Sequence, residues 1–290
     1  MASGNNNGDQ EILRLRDELL SLASQLSARY ACRKLTEKTV VNLLMEHVCE
    51  RCIVEKLRLG VRDEDKVDRA WRNLHGYAVE LLIERLKNKL LEAGFHVSIA
   101  SEAENPTGYY DVLLKVDRTG IQILNGSKSI CLEAKTGFNI SFLQLEKYLW
   151  NGSTIILVRF ATSDVWTFRL SEWATFLKTV LNDRIEKARR IIAGRVVPVQ
   201  GQDCKECPLE SCKFRKSRAV KEDKLGKNNG FTEALEGFKR NADAAIEAAL
   251  SAVLVELNRA ATQMRETDKD RCHLNAPQLG ALDVSPGQSL

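Results

Sequence analysis

The chain lacks any apolar run of bilayer-crossing length, so no helical membrane span is expected anywhere in its 290 residues. Met1–Gln10 is polar and rich in Gly and Asn. It does not have the apolar core of a secretory signal, and a cytoplasmic location is expected. An excess of one charge is missing too: 43 Lys and Arg against 39 Asp and Glu leave +4. A pI near 8.6 falls short of a strongly basic domain. No segment repeats at a fixed period, which argues against a solenoid. What is plentiful is apolar sequence, 44% of the chain, enough for one sizeable core with helical additions.

The pattern of that apolar sequence predicts a helical start, a mixed centre and a helical end. Ile12, Leu15, Leu19, Leu22 and Leu26 recur at helical spacing within a helical stretch 10–59. A charged hinge, Gly60–Lys66, leads into a helix over 67–93, which Gly94 closes by adopting the left-handed conformation. Strands are expected at 95–100, 111–117, 121–124, 129–135, 154–160 and 164–169. Asp117–Gly120 and Asn125-Gly126 supply turns. Helices are expected over 141–150, 171–194 and 231–265, with 226–230 as a linker. Residues 1–9 and 268–290 are expected to lack order. The implied divisions are 1–66, helical; 67–175, the α/β core; 176–230, a helix with a cysteine loop and a basic stretch; 231–266, a long helix; and 267–290, a tail.

Three short stretches carry chemistry. Gly108-Tyr109-Tyr110-Asp111 leads into one strand, Glu133-Ala134-Lys135 closes another, and Gln144 and Tyr148 share a helix face at i, i+4. Strand residues two apart point the same way, so Glu133 and Lys135 project together while Ile130, Leu132 and Ala134 face a core. With Val112–Val116 beside that strand, Asp111 meets Glu133. Two carboxylates and a lysine in one pocket suit Mg²⁺ or Mn²⁺ and an activated water. That combination is phosphodiester chemistry.

Asp111 followed by Glu133-x-Lys135 resembles the PD-(D/E)XK nuclease superfamily, and the helix–strand–strand–strand–helix–strand order of about 67–175 resembles its restriction-endonuclease-like αβββαβ core. Gln144-x-x-x-Tyr148 resembles the RecB-like branch, which includes the CRISPR-associated Cas4 proteins. That branch carries a His in the helix before the core, and at about 100° per residue Trp71, Ala78, Val79, Leu82 and Leu86 fall around His75. Asn73, Glu84 and Lys87 cluster around Glu80 instead, so His75 is expected at the centre of the buried face. The resemblance implies a nuclease acting on DNA ends, in repair or in CRISPR spacer acquisition. It implies that Asp111 and Glu133 hold the cation with His75 in or behind the shell. Lys135 orients the water, and Gln144 and Tyr148 contact DNA.

Eight cysteines form the second signal: Cys32, Cys49, Cys52, Cys131, Cys204, Cys207, Cys212 and Cys272. In a reducing compartment CxxC pairs more often bind metal than form disulfides. Cys204, Cys207 and Cys212 offer three thiolates on one loop, and the Cys49/Cys52 pair is the obvious source of a fourth. Two readings stay open. Cys49 with Cys204, Cys207 and Cys212 resembles the [4Fe–4S] arrangement of Cas4 and AddB nucleases. Zn²⁺ held by two CxxC knuckles leaves Cys212 spare. Either would clasp the two ends of the core and contribute folding energy. Cys131 reads as a core residue, while Cys32 and Cys272 read as bystanders, Cys32 staying open as a ligand.

Basic residues crowd 184–195 (Arg184, Lys187, Arg189, Arg190, Arg195) and 213–227, and are expected to follow a DNA path. Two functions of other classes compete: a catalytically silent DNA-binding scaffold, and a zinc-stapled helical interaction protein.

Overall fold

A computed structural model describes residues 5–30, 35–60, 69–95, 97–105, 108–116, 130–138, 142–151, 154–200, 204, 207–209, 212 and 226–274. Among these are seven helices and a five-stranded mixed sheet. The expected strand 121–124 and turns at 117–120 and 125–126 lie outside the described residues, as do most of the hinge and Cys32.

Helix α1 (Asn5–Tyr30) buries Ile12, Leu15, Leu19, Ala23 and Leu26 along one stripe. Its first turns contradict the expected disorder of residues 5–9. Extending an existing helix fixes one residue per hydrogen bond gained, so the strongly amphipathic segment that follows carries the polar start with it. Helices α2 (Glu37–Glu46) and α3 (Glu50–Leu59) complete the N-terminal group; α2 is capped by Thr36, whose side chain accepts from the Thr39 N–H. Helix α4 (Arg69–Glu92) buries Leu74, Ala78, Val79, Leu82, Leu86 and Leu90. Gly94, at φ 77°, ends it: Gly94 N–H donates to Leu91 O and Phe95 N–H to Leu90 O, a Schellman closure.

Strands β1 (Val97–Asn105) and β2 (Gly108–Val116) form an antiparallel hairpin longer than expected at its turn end. Strand β3 (Ile130–Lys135) pairs antiparallel with β2 and parallel with β4 (Thr154–Arg159); α5 (Phe142–Leu149) makes the crossover that a parallel pair requires. Strand β5 (Asp164–Phe168) closes the order β1-β2-β3-β4-β5.

Both faces of the central strands are covered, which explains their nearly unbroken apolar sequence. Leu113, Cys131, Ile155 and Leu157 share one core with α1, α2, α3, α5 and α6 (Leu170–Ile192). The opposite face carries Val112, Leu114, Leu132, Ile156 and Val158, and α4 packs against β1, β2 and β3. Helix α7 (Gly226–Leu274) starts five residues before its expected beginning, so 226–230 is helix rather than linker; it also takes in 268–274. Met1–Val253 forms one compact unit and Leu254–Leu290 a second. No described helix is long and apolar enough to cross a membrane.

Candidate active site

The site is built where β2 and β3 meet, next to α4 and α5. Val112 pairs with Leu132, and the same register carried one residue further sets Asp111 opposite Glu133. Directly opposed residues share a sheet face. Asp111 accepts the Ala134 N–H on Oδ2 at 2.7 Å, and its Oδ1 meets His75 Nε2 at 3.1 Å. Glu133 Oε1 accepts from Lys135 Nζ at 2.6 Å, and the same ammonium donates to Gln144 Oε1 at 2.8 Å. Gln144 Nε2 in turn donates to the Tyr148 hydroxyl at 2.6 Å. All six residues expected from sequence are thus brought together from four elements.

The electrostatics are those of a buried Glu133 beside a half-buried Asp111, with Lys135 and His75 against them. Glu133 is 1% exposed; burial, then the Asp111 charge, raises its carboxyl to about 7, against the pull of Lys135 and Tyr148. Its Oε2 is buried without a well-formed hydrogen bond among the described residues, although the Tyr148 hydroxyl lies beside the carboxylate. His75 is pushed upward, chiefly by its hydrogen bond to Asp111. Lys135 and the His75 ring thus each face one of the two acidic side chains.

His75 departs from its expectation in one respect. Ala78, Val79, Leu82 and Leu86 are buried as the helical wheel requires, Trp71 is half-buried and Glu80 is exposed, yet the imidazole itself is only partly buried, at 38% exposure. The ring leaves the packed face to reach Asp111 at the end of β2, and the Nε2 that a metal ligand role uses is turned to that carboxylate. Tyr148 is more deeply buried than a surface DNA contact, and burial drives its hydroxyl pKa upward.

Sequence reasoning missed the residues that frame the turn after Lys135. Arg159 lies beside Lys135 in the parallel register, donates from Nη2 to Phe138 O at 3.1 Å and from Nη1 to Asp164 at 3.3 Å, and lies over the Trp166 ring at 5.3 Å. Trp71, one helical turn before His75, packs against Gly137 and, edge to face, against Phe231. An Arg ending an otherwise apolar strand was the available signal. The chain, compared with known proteins, matches no family model, no curated protein and no solved structure.

The cysteines and basic residues fall differently from the pocket residues. Cys49, Cys52 and Cys207 pack into one buried cluster, Cys204 is buried, and Cys212 is half-buried. Cys131 lies in the core as expected. Among the described residues no group of three or more His, Cys, Asp or Glu side chains is already arranged to hold a metal ion. Of the basic residues on α6, Lys187 is 3% exposed, donates to His47 O at 3.0 Å, and is pushed downward chiefly by burial. Arg190 binds Glu50, Arg189 binds Glu18 and Glu186, and Arg184 binds Asp183. Lys187, Arg189 and Arg190 thus tie α6 to the N-terminal helices, Arg189 and Arg190 stay part-exposed and Arg195 is exposed; 213–225 lie outside the described residues.

Proposed function

We propose that the protein is a metal-dependent deoxyribonuclease of the PD-(D/E)XK plan, RecB-like branch, acting on DNA ends. One observation carries the reading: six side chains selected on chemical grounds, spread over 74 positions of sequence from His75 to Tyr148, join into adjoining hydrogen-bonded sets around one carboxylate pair. The helix–three-strand–helix–strand order around them supports it.

The donors suit the cation the plan requires. Asp111 and Glu133 offer hard oxygens, one of them buried without a good hydrogen bond, which fits Mg²⁺ or Mn²⁺; the nearby imidazole makes Mn²⁺ more welcome. The cation supplies Lewis acidity toward the phosphate and lowers the pKa of a bound water. The protein's own groups do the positioning. Tyr148 fixes Gln144, Gln144 and Glu133 fix the Lys135 ammonium, and that ammonium favours a hydroxide and negative charge developing on phosphate. His75 and the Ala134 N–H hold Asp111 in place. DNA repair and CRISPR spacer acquisition are the settings that the resemblance implies.

Lys135→Ala is expected to lose metal-dependent cleavage while keeping DNA binding in a gel-shift assay. Cleavage at the wild-type rate by this variant would overturn the assignment. Wild-type protein that binds DNA without cutting any substrate would favour the scaffold function instead.

A further inference from the structure

Arg159 ends β4 in the same cross-strand row as Lys135, and the row continues to Asp164 on β5. One row back, Glu133 stands opposite Leu157, and Leu157 opposite Trp166. Residues opposed across neighbouring strands share a sheet face, so Trp166 and Arg159 lie on the face that carries the carboxylate pair. Two strand spacings, about 10 Å, separate the backbones at Glu133 and Trp166. Strand β5 ends the order of the sheet, and Trp166 is 38% exposed there.

A single exposed ring needs no explanation, but this one is not single. Phe138, in the turn after β3, is 46% exposed, and one guanidinium reaches both residues. Arg159 Nη2 donates to Phe138 O at 3.1 Å, and its Cζ lies over the Trp166 ring at 5.3 Å. The other aromatic residue on this face of β5, Phe168, packs against Trp173 and the core. The ring left to solvent is therefore the one nearer the pocket. Both hydrogen bonds of the guanidinium are longer than charged groups usually make, and its buried Nε has no hydrogen-bond partner among the described residues. Stacking on the indole holds this arginine as much as its hydrogen bonds do, and the arginine fixes the ring in turn.

We propose that Trp166 and Phe138 form a ledge that stacks an unpaired nucleobase of the strand whose phosphate meets Asp111 and Glu133, with Arg159 the positioning residue that holds both. The identity of the ligand rests on the nuclease reading. Every base has a π-face, so such a ledge accepts unpaired DNA without regard to sequence. A paired base keeps its faces against its neighbours in the duplex and has to leave the stack before it can offer one. The ledge therefore selects ends with unpaired nucleotides over blunt ends. Lys135 and Arg159, side by side on β3 and β4, put positive charge between the ledge and the carboxylates, where the backbone of that strand crosses, and Asp164 offsets part of it.

The test follows binding of an end-labelled oligothymidylate to full-length Asp111→Ala protein, which leaves the DNA uncut, by fluorescence anisotropy. Trp166→Ala and Phe138→Ala, each added to that protein, are expected to weaken binding about fivefold or more, the low end of what one base–aromatic stack contributes. On an abasic strand of the same length they are expected to change nothing. Phe176→Ala, which removes an exposed ring from α6, is expected to bind as its parent does. Equal losses on intact and abasic strands would overturn the ledge, as would no loss on either, an equal loss in Phe176→Ala, or a blunt duplex bound as tightly as the single strand. Should Trp166→Ala fail to fold by circular dichroism, Trp166→Phe must keep the affinity for oligothymidylate and Trp166→Leu must lose it; equal affinities contradict the ledge. Cleavage by protein with Asp111 intact is scored separately. Cleavage with ring-independent binding removes the ledge and leaves the nuclease reading, and ring-dependent binding without cleavage does the reverse.

Discussion

Glu133 places a carboxylate where its strand is otherwise sealed by Ile130, Cys131, Leu132 and Ala134. Such a group is retained at a cost in stability, and pockets that do chemistry are where that cost is met. With its carboxyl raised to about 7, cation binding must displace a proton, so affinity for Mn²⁺ is expected to increase as pH rises through about 7. Calorimetric titration at several pH values checks this, and a pH-independent affinity would count against it. Glu146, on the same helix as Gln144, is also raised to about 7, by burial opposed by Arg184 and Lys147. A folded-state pKa above the ordinary 4.5 means the stability this group contributes is complete below 4.5 and lost as pH rises through 7. Glu146→Gln is therefore expected to melt near wild type at about pH 5 and above it at about pH 8. A lower melting temperature at the higher pH would contradict that. At this scale Asp111, Glu133 and Lys135 were legible because strand alternation is a local rule. Arg159 was not, because its role depends on Phe138 and Trp166, brought near it by the sheet and the turn after β3.

Helix α7 shows how an element is fixed by close approach to its neighbours. A Cβ at Gly237 would lie 2.7 Å from Ala161 O, and Asn241 donates to that same oxygen at 2.7 Å. Phe238, one residue on, packs against Phe160 and Tyr77. In an open helix Gly→Ala gains roughly 1 kcal/mol. Here the clash with backbone outweighs that gain, and Gly237→Ala is expected to lose about 1–3 kcal/mol in urea unfolding. Gly76→Ala in α4, with nothing within 4 Å of the added carbon, is expected to gain about 0.5–1 kcal/mol. Equal effects at the two positions would contradict the docking of α7. Element type was readable from periodicity, and Gly94 marked a true helix end. The starts of α1 and α7 were misjudged, because composition marks Asn and Gly as breakers and cannot report a helix extended by its neighbours.

At the scale of the molecule, α1 and α6 lie together far apart in sequence, joined through Ile12, Leu19 and Leu26 on one side and Leu177, Leu181 and Ile185 on the other. Nothing local to either helix specifies the other. For the same reason the sequence could not show that Glu18, Glu50 and His47 lie against the cationic side chains of α6. Leu19→Ala is expected to cost about 2–5 kcal/mol by leaving a cavity in this shared core, measured by thermal unfolding. The central claim is that the carboxylate pair cuts DNA. Its most direct test is cleavage of end-labelled single- and double-stranded DNA with Mn²⁺ or Mg²⁺, wild type beside Asp111→Ala. Cleavage by wild type that Asp111→Ala abolishes is the predicted result; equal cleavage by both proteins, or none by either, would contradict it.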